Sequence, residues 1–313
     1  MGTLPENLMT PADLLTGAEF SAARVLELFQ LAADVKARPD HYRSALAGRY
    51  LALIFEKPSL RTRVTFDVGI LSLGGGAIFL DHTGTRLGQR ESIRDVAKNL
   101  ERWVQAIVAR VFQQSALEQL AAHASIPVIN ALSDLYHPCQ ALADFFTLRE
   151  RFGNLQGLTL AYVGDGNNVC HSLLLAGARV GANVRVATPA GYEPDAAVVA
   201  EALRAARETR AKIEILRAAE EAVSGAQAVY TDVWASMGQE GEAAQREKLF
   251  APYQVNEALM ARAAPECVFL HCLPAHRGLE VTDAVMDAPS SIVYDQAENR
   301  LHVQKAILLT LLG

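Results

Sequence analysis

The sequence predicts an α/β protein of two domains, each with a central, mostly parallel sheet flanked by helices. A chain of 313 residues exceeds the usual size of a single hydrophobic core, so two domains are expected. Short apolar runs alternate with segments of helical spacing, which is typical of parallel strands joined by helices. The alternation is interrupted by one long helical segment, residues 137–153, and then begins again.

The alternating pattern predicts the order of strands in each half. In the first half, GRYLALIF, GAIFLD, AIVARV and IPVINALSD are predicted strands; in the second half, LTLAYVGDG, NVRVATP, AVYTDVW and CVFLHCLP are. We predict a first domain over residues 1–140, with an apolar C-terminal helix over 298–313 packing back on it. The second domain is predicted over residues 141–297.

The composition argues against several classes of protein. The formal charge of −6 argues against general nucleic-acid binding, which requires a broad basic face. Neither an export signal nor an apolar run long enough for a membrane span is visible, so we expect a cytoplasmic protein. The four cysteines form no CxxC pair, which disfavours a disulfide framework or a four-thiolate zinc site.

Unusual polar clusters follow the predicted strands, at the edge where open parallel sheets bind ligands. These clusters are SLRTR (59–63), Arg110, HPCQ (137–140), GDGNN (164–168), DVWASMG (232–238) and HCLPAHRG (271–278). In the first, Ser59 is a predicted helix N-cap, with Arg61 and Thr62 in the first helical turn. Arginine there opposes the helix dipole, and a bound phosphate would resolve the conflict. The alternative is a capped helix with two surface arginines.

The GDGNN cluster permits two interpretations. A dinucleotide site would need a third glycine where Val169 stands, and an acidic residue after the next strand, where Thr188 and Pro189 stand. Asn167 and Asn168 suit a small polar ligand better. Likewise, Asp232 at a strand end is either structural or able to hold an ammonium group.

The HCLPAHRG and HPCQ segments also leave alternatives open. His271, Cys272 and His276 could form part of a zinc site or a nucleophilic Cys–His pair, although a thiol that lines a substrate pocket is favoured. His137 and Gln140 are either part of a turn and helix cap or part of a site, and their place after a strand favours the site.

Taken in order, these segments resemble the aspartate/ornithine carbamoyltransferase family, whose carbamoyl phosphate motif S-T-R-T-R is similar to SLRTR. The resemblance implies transfer of the carbamoyl group of carbamoyl phosphate to the δ-amine of L-ornithine. It also implies a homotrimer or a multiple of trimers with active sites at subunit interfaces. No metal and no cofactor are expected.

The resemblance also implies roles for individual residues. Arg61, Arg110, His137 and Cys272 are the implied catalytic residues. The implied carbamoyl phosphate ligands are Ser59, Leu60, Arg61, Thr62, Arg86, Arg110, His137, Gln140, Cys272, Leu273 and Arg300, and the implied ornithine ligands are Asn168, Asp232, Ser236 and Met237. Leu60 replaces the usual threonine, and Arg86 replaces a glutamine that in many relatives reaches a neighbouring subunit's site.

Three rival functions follow from the same residues. A sister carbamoyltransferase could act on aspartate, N-acetylornithine or another amine, but Asp232 suits a free α-ammonium group, which acetylation would remove. A non-catalytic metabolite-binding protein predicts loss of the charged positions, which are present. A dehydrogenase is disfavoured by Val169 in the glycine motif.

Overall fold

A computed structural model describes residues 13–82, 84–235 and 240–313 of the chain. The chain divides into two compact units. Unit 1 consists of the residues up to Asp134 together with Leu301–Gly313, and unit 2 is Leu135–Arg300. The domain boundaries at residues 140 and 297 remain predictions. Within the described ranges, no helix is long and apolar enough to cross a membrane.

Unit 1 is a four-stranded parallel sheet with helices in the connections. Its elements are α1 (Ala22–Ala37), β1 (Tyr50–Phe55), α2 (Leu60–Ser72), β2 (Gly76–Asp81), α3 (Ile93–Leu100), β3 (Ala106–Arg110), α4 (Gln114–His123) and β4 (Val128–Leu132). The strand order is β2-β1-β3-β4. One sheet face packs against α3 and α4, where Ile54 and Ile107 meet Ala97 and Leu117 in the buried core.

The strand order of unit 1 reverses between β1 and β3. The chain passes from β1 to β2 on one side and then crosses to β3 on the other, and Phe55 at the end of β1 pairs with Arg110 at the end of β3. Ligands of open α/β sheets bind beyond the carboxyl ends of strands at such a switch point. The SLRTR segment and Arg110 therefore occupy the position expected of a ligand site.

Unit 2 is a five-stranded parallel sheet with strand order β7-β6-β5-β8-β9. Its elements are α5 (Pro138–Phe152), β5 (Thr159–Val163), α6 (Asn168–Val180), β6 (Asn183–Ala187), α7 (Ala196–Thr209), β7 (Ile213–Leu216), α8 (Ala219–Val223), β8 (Ala228–Thr231), α9 (Ala243–Phe250), α10 (Glu257–Met260), β9 (Val268–His271), α11 (Asp283–Met286) and α12 (Val293–Leu312), the last twelve residues of α12 belonging to unit 1.

The core of unit 2 lies on both faces of its sheet. On one face, Val163, Val229 and Phe269 pack with Leu259 and Val285 of the short helices α10 and α11. On the other, the buried Tyr162 and Tyr230 rings stack with centroids 6.0 Å apart. The strand order reverses between β5 and β8, so the segments after Val163 and Thr231 flank the switch point of this sheet.

The predicted fold class is confirmed, since each unit has a parallel sheet with helices in its connections. Strand β7 was not predicted. Its residues Ile213, Glu214, Ile215 and Leu216 are only four, and none is fully buried, because β7 is an edge strand. Strand β7 is short and half-buried, so it lacks the continuous apolar run that predicts a central strand.

Candidate active site

The first group of predicted ligands lies at the start of α2 in unit 1. Ser59 is the N-cap, and its side-chain oxygen accepts a hydrogen bond from the Thr62 backbone N–H at 3.3 Å. The Thr65 hydroxyl donates to the Arg61 carbonyl at 2.7 Å, which stiffens the first turn. The first turn contains no acidic residue. The positive end of the helix dipole is therefore not neutralised by an acidic side chain of the first turn, and an anion that binds there is stabilised.

Arg110 ends β3 and is buried, with 7% of its surface exposed. The pairing of β3 with β4 shifts register between Ala109 and Arg110, and irregularities of this kind change the direction of a side chain at the end of a strand. Phe55 and Arg110 are register partners at the ends of the adjacent strands β1 and β3. The SLRTR segment, which follows β1, therefore begins close to Arg110.

Glu56, which the sequence patterns did not single out, joins the loops that follow three strands. Its carboxylate accepts hydrogen bonds from Leu87 N–H at 2.6 Å and Phe112 N–H at 2.7 Å, and its own N–H donates to the Arg110 carbonyl at 2.9 Å. The residue is 4% exposed. Glu56 therefore fixes the segments after β2 and β3 against the end of β1.

Arg86 lies on the loop that Glu56 holds. Its guanidinium carbon is 4.8 Å from the centroid of the Phe112 ring, and the Lys57 ammonium lies 4.5 Å from the same centroid. Two cations on one aromatic ring are each stabilised by its quadrupole. Arg86 is exposed, so its guanidinium edge stays available to an anion.

In unit 2, Gln140 and Arg300 are brought together. An Arg300 guanidinium nitrogen donates to Gln140 Oε1 at 2.8 Å, and Gln140 Nε2 donates to Asp144 Oδ1 at 2.8 Å. Gln296 Nε2 donates to the same Asp144 oxygen at 2.7 Å. Burial raises the pKa of Asp144 to about 7. This buried chain of donors and acceptors fixes the orientation of the Gln140 amide.

Asp232 is held by two neighbours at the switch point of the unit 2 sheet. Asn167 Nδ2 donates to Asp232 Oδ2 at 2.8 Å, and the Cys272 thiol donates to Asp232 Oδ1 at 3.1 Å. Asn167 also caps α6, since its side-chain oxygen accepts from the N–H groups of Val169 and Cys170. Asn168, the predicted ligand, is the next residue and the first of α6, and its ligand role stays a prediction.

The HCLPAHRG loop is ordered by a buried histidine and glutamate. The Leu273 N–H donates to His271 Nδ1 at 2.9 Å, so the ring proton resides on Nε2, which lies 3.3 Å from Glu280 Oε1. Leu273 has a φ of +59°, a conformation that is uncommon for a leucine and is supported here by this hydrogen bond. Glu280 Oε1 also accepts from the His276 N–H at 2.6 Å, which closes the loop.

These contacts weigh against the two reactive alternatives for this loop. Donor atoms of Asp232, His271 and Cys272 lie within 4.8 Å of one another, but both ring nitrogens of His271 already have partners. Burial and the neighbouring Asp232 carboxylate raise the pKa of the Cys272 thiol well above its usual value. A protonated thiol is a poor nucleophile, so a pocket-lining role is favoured.

A buried ion pair anchors the segment after Asp232. Arg246 on α9 donates to Asp165 Oδ2 at 2.8 Å and to the Trp234 carbonyl at 2.8 Å. Both charged residues are less than one-tenth exposed. Burial raises the pKa of Asp165, and the charge of Arg246 opposes that shift. The ion pair joins residues that are 81 positions apart in the chain, and no sequence pattern predicted it.

The structure places the predicted residues in two groups. Unit 1 contains Ser59, Leu60, Arg61, Thr62, Arg86 and Arg110; unit 2 contains His137, Gln140, Asn168, Asp232, Cys272, Leu273 and Arg300. Ser236 and Met237 lie outside the described residues. No contact tests the individual ligand roles, which remain predictions.

Both halves of the chain match models of one protein family. Residues 12–150 match the carbamoyl-P binding domain of aspartate/ornithine carbamoyltransferase, and residues 156–311 match its Asp/Orn binding domain. The chain belongs to the aspartate/ornithine carbamoyltransferase family. The family resemblance inferred from SLRTR and the motifs after it is thereby confirmed, as is the carbamoyltransferase class of enzyme.

Individual members of this carbamoyltransferase family are similar over almost the whole chain. The ornithine carbamoyltransferase of Thermococcus kodakarensis is 55% identical over 268 residues, covering 86% of this chain and 85% of that protein. The protein named "Ornithine carbamoyltransferase, anabolic" from Pyrococcus furiosus is 50% identical, with 96% of each chain covered. The solved structure of the P. furiosus ornithine carbamoyltransferase superposes with a TM-score of 0.94, at 49% identity, covering 97% of this chain and 98% of that one.

Proposed function

We propose that this enzyme transfers the carbamoyl group of carbamoyl phosphate to the δ-amine of L-ornithine, giving L-citrulline and phosphate. The observation that carries the choice of acceptor is the Asp232 carboxylate, held by Asn167 and Cys272 at the switch point of unit 2. A buried carboxylate attracts the ammonium group of ornithine and repels the second carboxylate of aspartate.

The phosphate group of carbamoyl phosphate is proposed to bind at the start of α2. The backbone N–H groups there, the hydroxyls of Ser59 and Thr62 and the guanidinium of Arg61 supply directional donors and positive charge. Leu60, which replaces the threonine of the family motif, is 74% exposed. Its contribution is proposed to be the backbone N–H, which leucine supplies as well as threonine.

The carbamoyl group is proposed to be polarised by Arg110 and His137, with Gln140 and Arg300 completing the site. The neutral δ-amine attacks the carbamoyl carbon, and the C=O electrons move onto oxygen to give a tetrahedral oxyanion. Donors aimed at that oxygen stabilise it more than the ground state, which is how they accelerate the reaction. The C–O bond to phosphate then breaks, the phosphate leaves into the cationic site, and the nitrogen loses a proton.

Asp232 is proposed to bind the α-ammonium group of ornithine, with Asn168, Ser236 and Met237 holding the same amino-acid end and Cys272 lining the site where the two substrates meet. The δ-ammonium must lose a proton before it attacks, since its usual pKa is about 10.4, as for a lysine. Leu273 is proposed to contact the substrates through its backbone. The reaction balances without a metal ion or a redox cofactor, and none is proposed.

We propose that the chain forms a homotrimer or a multiple of trimers. The exposed face of α2 supports association, since Leu60, Val64, Val68 and Leu71 follow one another at helical spacing and are each at least 45% exposed. In the trimer, Arg86 is proposed to contact phosphate bound to a neighbouring subunit. The family resemblance is the basis for the number three.

A biosynthetic role and a cytoplasmic location are also proposed for the enzyme. One relative, from P. furiosus, is named as anabolic, which supports a place in arginine synthesis. All four cysteines are free thiols, as is usual for proteins of a reducing compartment. The cytoplasm is therefore the proposed location.

The acceptor is tested by measuring kcat/KM for carbamoyl phosphate consumption with L-ornithine, L-aspartate, N-acetyl-L-ornithine and putrescine. We expect kcat/KM for L-ornithine to exceed that for each of the others by at least about a hundredfold. Putrescine lacks the carboxylate, N-acetyl-L-ornithine lacks the free α-ammonium group, and L-aspartate has a second carboxylate in place of the δ-amine. A higher value for N-acetyl-L-ornithine or aspartate would overturn the proposed acceptor while leaving the carbamoyltransferase class intact.

A further inference from the structure

His137 is the N-cap of α5 with a backbone φ of −139°, and its carbonyl oxygen accepts hydrogen bonds from the Gln140 and Ala141 N–H groups. The backbone N–H of His137 is held from elsewhere in unit 2. Three consecutive residues, Leu135, Tyr136 and His137, each contact His171 or Ser172 near the start of α6. That segment is consequently held along its length by one neighbouring helix.

The contact at His137 itself is a hydrogen bond from its backbone N–H to the Ser172 hydroxyl oxygen at 2.8 Å. His137 and Ser172 are 4% and 2% exposed, respectively. Burial excludes water as an alternative partner, so removing the Ser172 oxygen would leave a buried N–H without an acceptor. Ser172 thus fixes the backbone at the start of α5.

His171 links the same segment to a third element. The Asp195 backbone N–H donates to His171 Nε2 at 2.8 Å, and His171 Nδ1 lies 2.9 Å from the Leu135 carbonyl oxygen. Because a backbone N–H can only donate, Nε2 is the acceptor, and the ring proton is on Nδ1, which donates to Leu135. Asp195 is the N-cap of α7, so the neutral ring connects the start of α7 to the carbonyl two residues before His137.

We infer that His171 and Ser172 are positioning residues for His137, with His171 acting through the Leu135 carbonyl and Ser172 through the His137 backbone N–H. The inference rests on the proposed role of His137 in polarising the carbamoyl group. It extends that proposal to two residues that the mechanism does not otherwise use. Burial lowers the pKa of His171, which agrees with a ring that must stay neutral to accept from Asp195.

Two substitutions separate the two hydrogen bonds of His171. In His171→Asn, the side-chain amide nitrogen takes the place of Nδ1 and can still donate to Leu135. In His171→Gln, the amide oxygen takes the place of Nε2 and can still accept from Asp195, but the donor to Leu135 is lost. Each variant removes one hydrogen bond from the same buried position, so losses of stability should be similar.

We expect His171→Gln to lower kcat about tenfold relative to His171→Asn, with the KM for ornithine changed less than about twofold, because a displaced His137 loses contacts to the carbamoyl group, both in bound carbamoyl phosphate and in the transition state, and not to ornithine. Thr209→Val is the matched control, since it removes a partly buried hydrogen bond to the Ala178 carbonyl at the far end of α6. Its kcat should match that of the wild type.

Equal kcat values for the two His171 variants, or a lower kcat for His171→Asn than for His171→Gln, would overturn the inference. Should a His171 variant fail to fold, Ser172→Ala and Ser172→Thr provide the same comparison, with threonine retaining the acceptor. Wild-type protein that makes no citrulline would refute the proposed function instead. In that case carbamoyl phosphate binding, measured by calorimetry, decides the inference: a weaker affinity of His171→Gln alone supports it, and equal affinities overturn it.

Discussion

The thiol of Cys272 donates to the carboxylate of Asp232 across 3.1 Å, and the other oxygen of that carboxylate accepts from Asn167. The thiol is therefore a hydrogen-bond donor whose proton is held in place. Burial, then the charge of Asp232, raise the pKa of Cys272. In the sequence, Cys272 next to His271 also permitted a nucleophilic Cys–His pair; this geometry favours a substrate-lining role.

The first prediction separates these two roles of Cys272. Cys272→Ser keeps a donor to Asp232, and we expect it to retain kcat within about tenfold of the wild type, whereas Cys272→Ala should lose more because Asp232 loses a partner. Steady-state kinetics of both variants measure this. If serine were as inactive as alanine, with both proteins folded, the thiol would have a role that a hydroxyl cannot perform.

The second prediction concerns Arg61, whose proposed role is to bind the phosphate and the developing oxyanion. Arg61→Gln should lower kcat by at least about a hundredfold, since preorganised charge is worth several kcal/mol in a transition state. Arg63→Gln is the matched control, because Arg63 lies on the same helix but stacks on the Phe79 ring at 3.7 Å. Comparable kcat values for the two variants would remove Arg61 from the proposed mechanism.

The third prediction concerns the stability of the folded protein as a function of pH. Asp144 has a pKa of about 7 in the folded state because it is buried, against about 4 when exposed. Between these values the unfolded state releases the proton and the folded state keeps it. The contribution of the neutral form is fully present below about pH 4 and is lost as the pH rises through 7.

Asp144→Asn cannot ionise, so its Tm relative to the wild type should be higher at pH 8 than at pH 4.5. From pH 4.5 to pH 8 the wild type should lose at most roughly 3.5 kcal/mol of unfolding free energy relative to the variant, at about 1.4 kcal/mol per pKa unit. Calorimetric melts at both values measure it, with the exposed Glu208→Gln as control. A Tm difference that does not change with pH would show that Asp144 is ionised throughout.

The fourth prediction concerns Arg86 and a neighbouring subunit. Arg61→Gln and Arg86→Ala should each be nearly inactive alone, but in the proposed trimer a mixture of the two variants would form sites in which an intact Arg61 meets an intact Arg86. Activity after subunit exchange should therefore exceed the sum of the two variants. Mixing Arg61→Gln with Arg110→Gln is the control, since both residues belong to one unit of one chain. No gain in the first mixture would place Arg86 in its own subunit's site.

Local patterns predicted the parts of the site that are local in the chain. Ser59 could be identified as a cap because capping depends on residues within one helical turn, and Asp232 because it directly follows an apolar strand. Neighbouring side chains were harder to assign. The contact of Asn167 with Asp232 depends on the direction of the helix cap, which the spacing alone does not give.

Long-range contacts were not predictable in the same way. Glu56 accepts from Leu87 and Phe112, which are 31 and 56 residues away, and Arg246 pairs with Asp165 across 81 residues. A glutamate after a strand and an arginine on a helix are ordinary surface residues in any sequence pattern. Only the strand order brings their partners within hydrogen-bond distance.

The proposed reaction joins carbamoyl phosphate to L-ornithine. The most direct test is to incubate the purified protein with both compounds and to quantify citrulline and phosphate together, with Arg61→Gln in parallel. We predict that citrulline and phosphate appear in equal amounts, at a rate that Arg61→Gln nearly abolishes. Phosphate release without citrulline, or citrulline formed equally fast by Arg61→Gln, would contradict the proposed reaction.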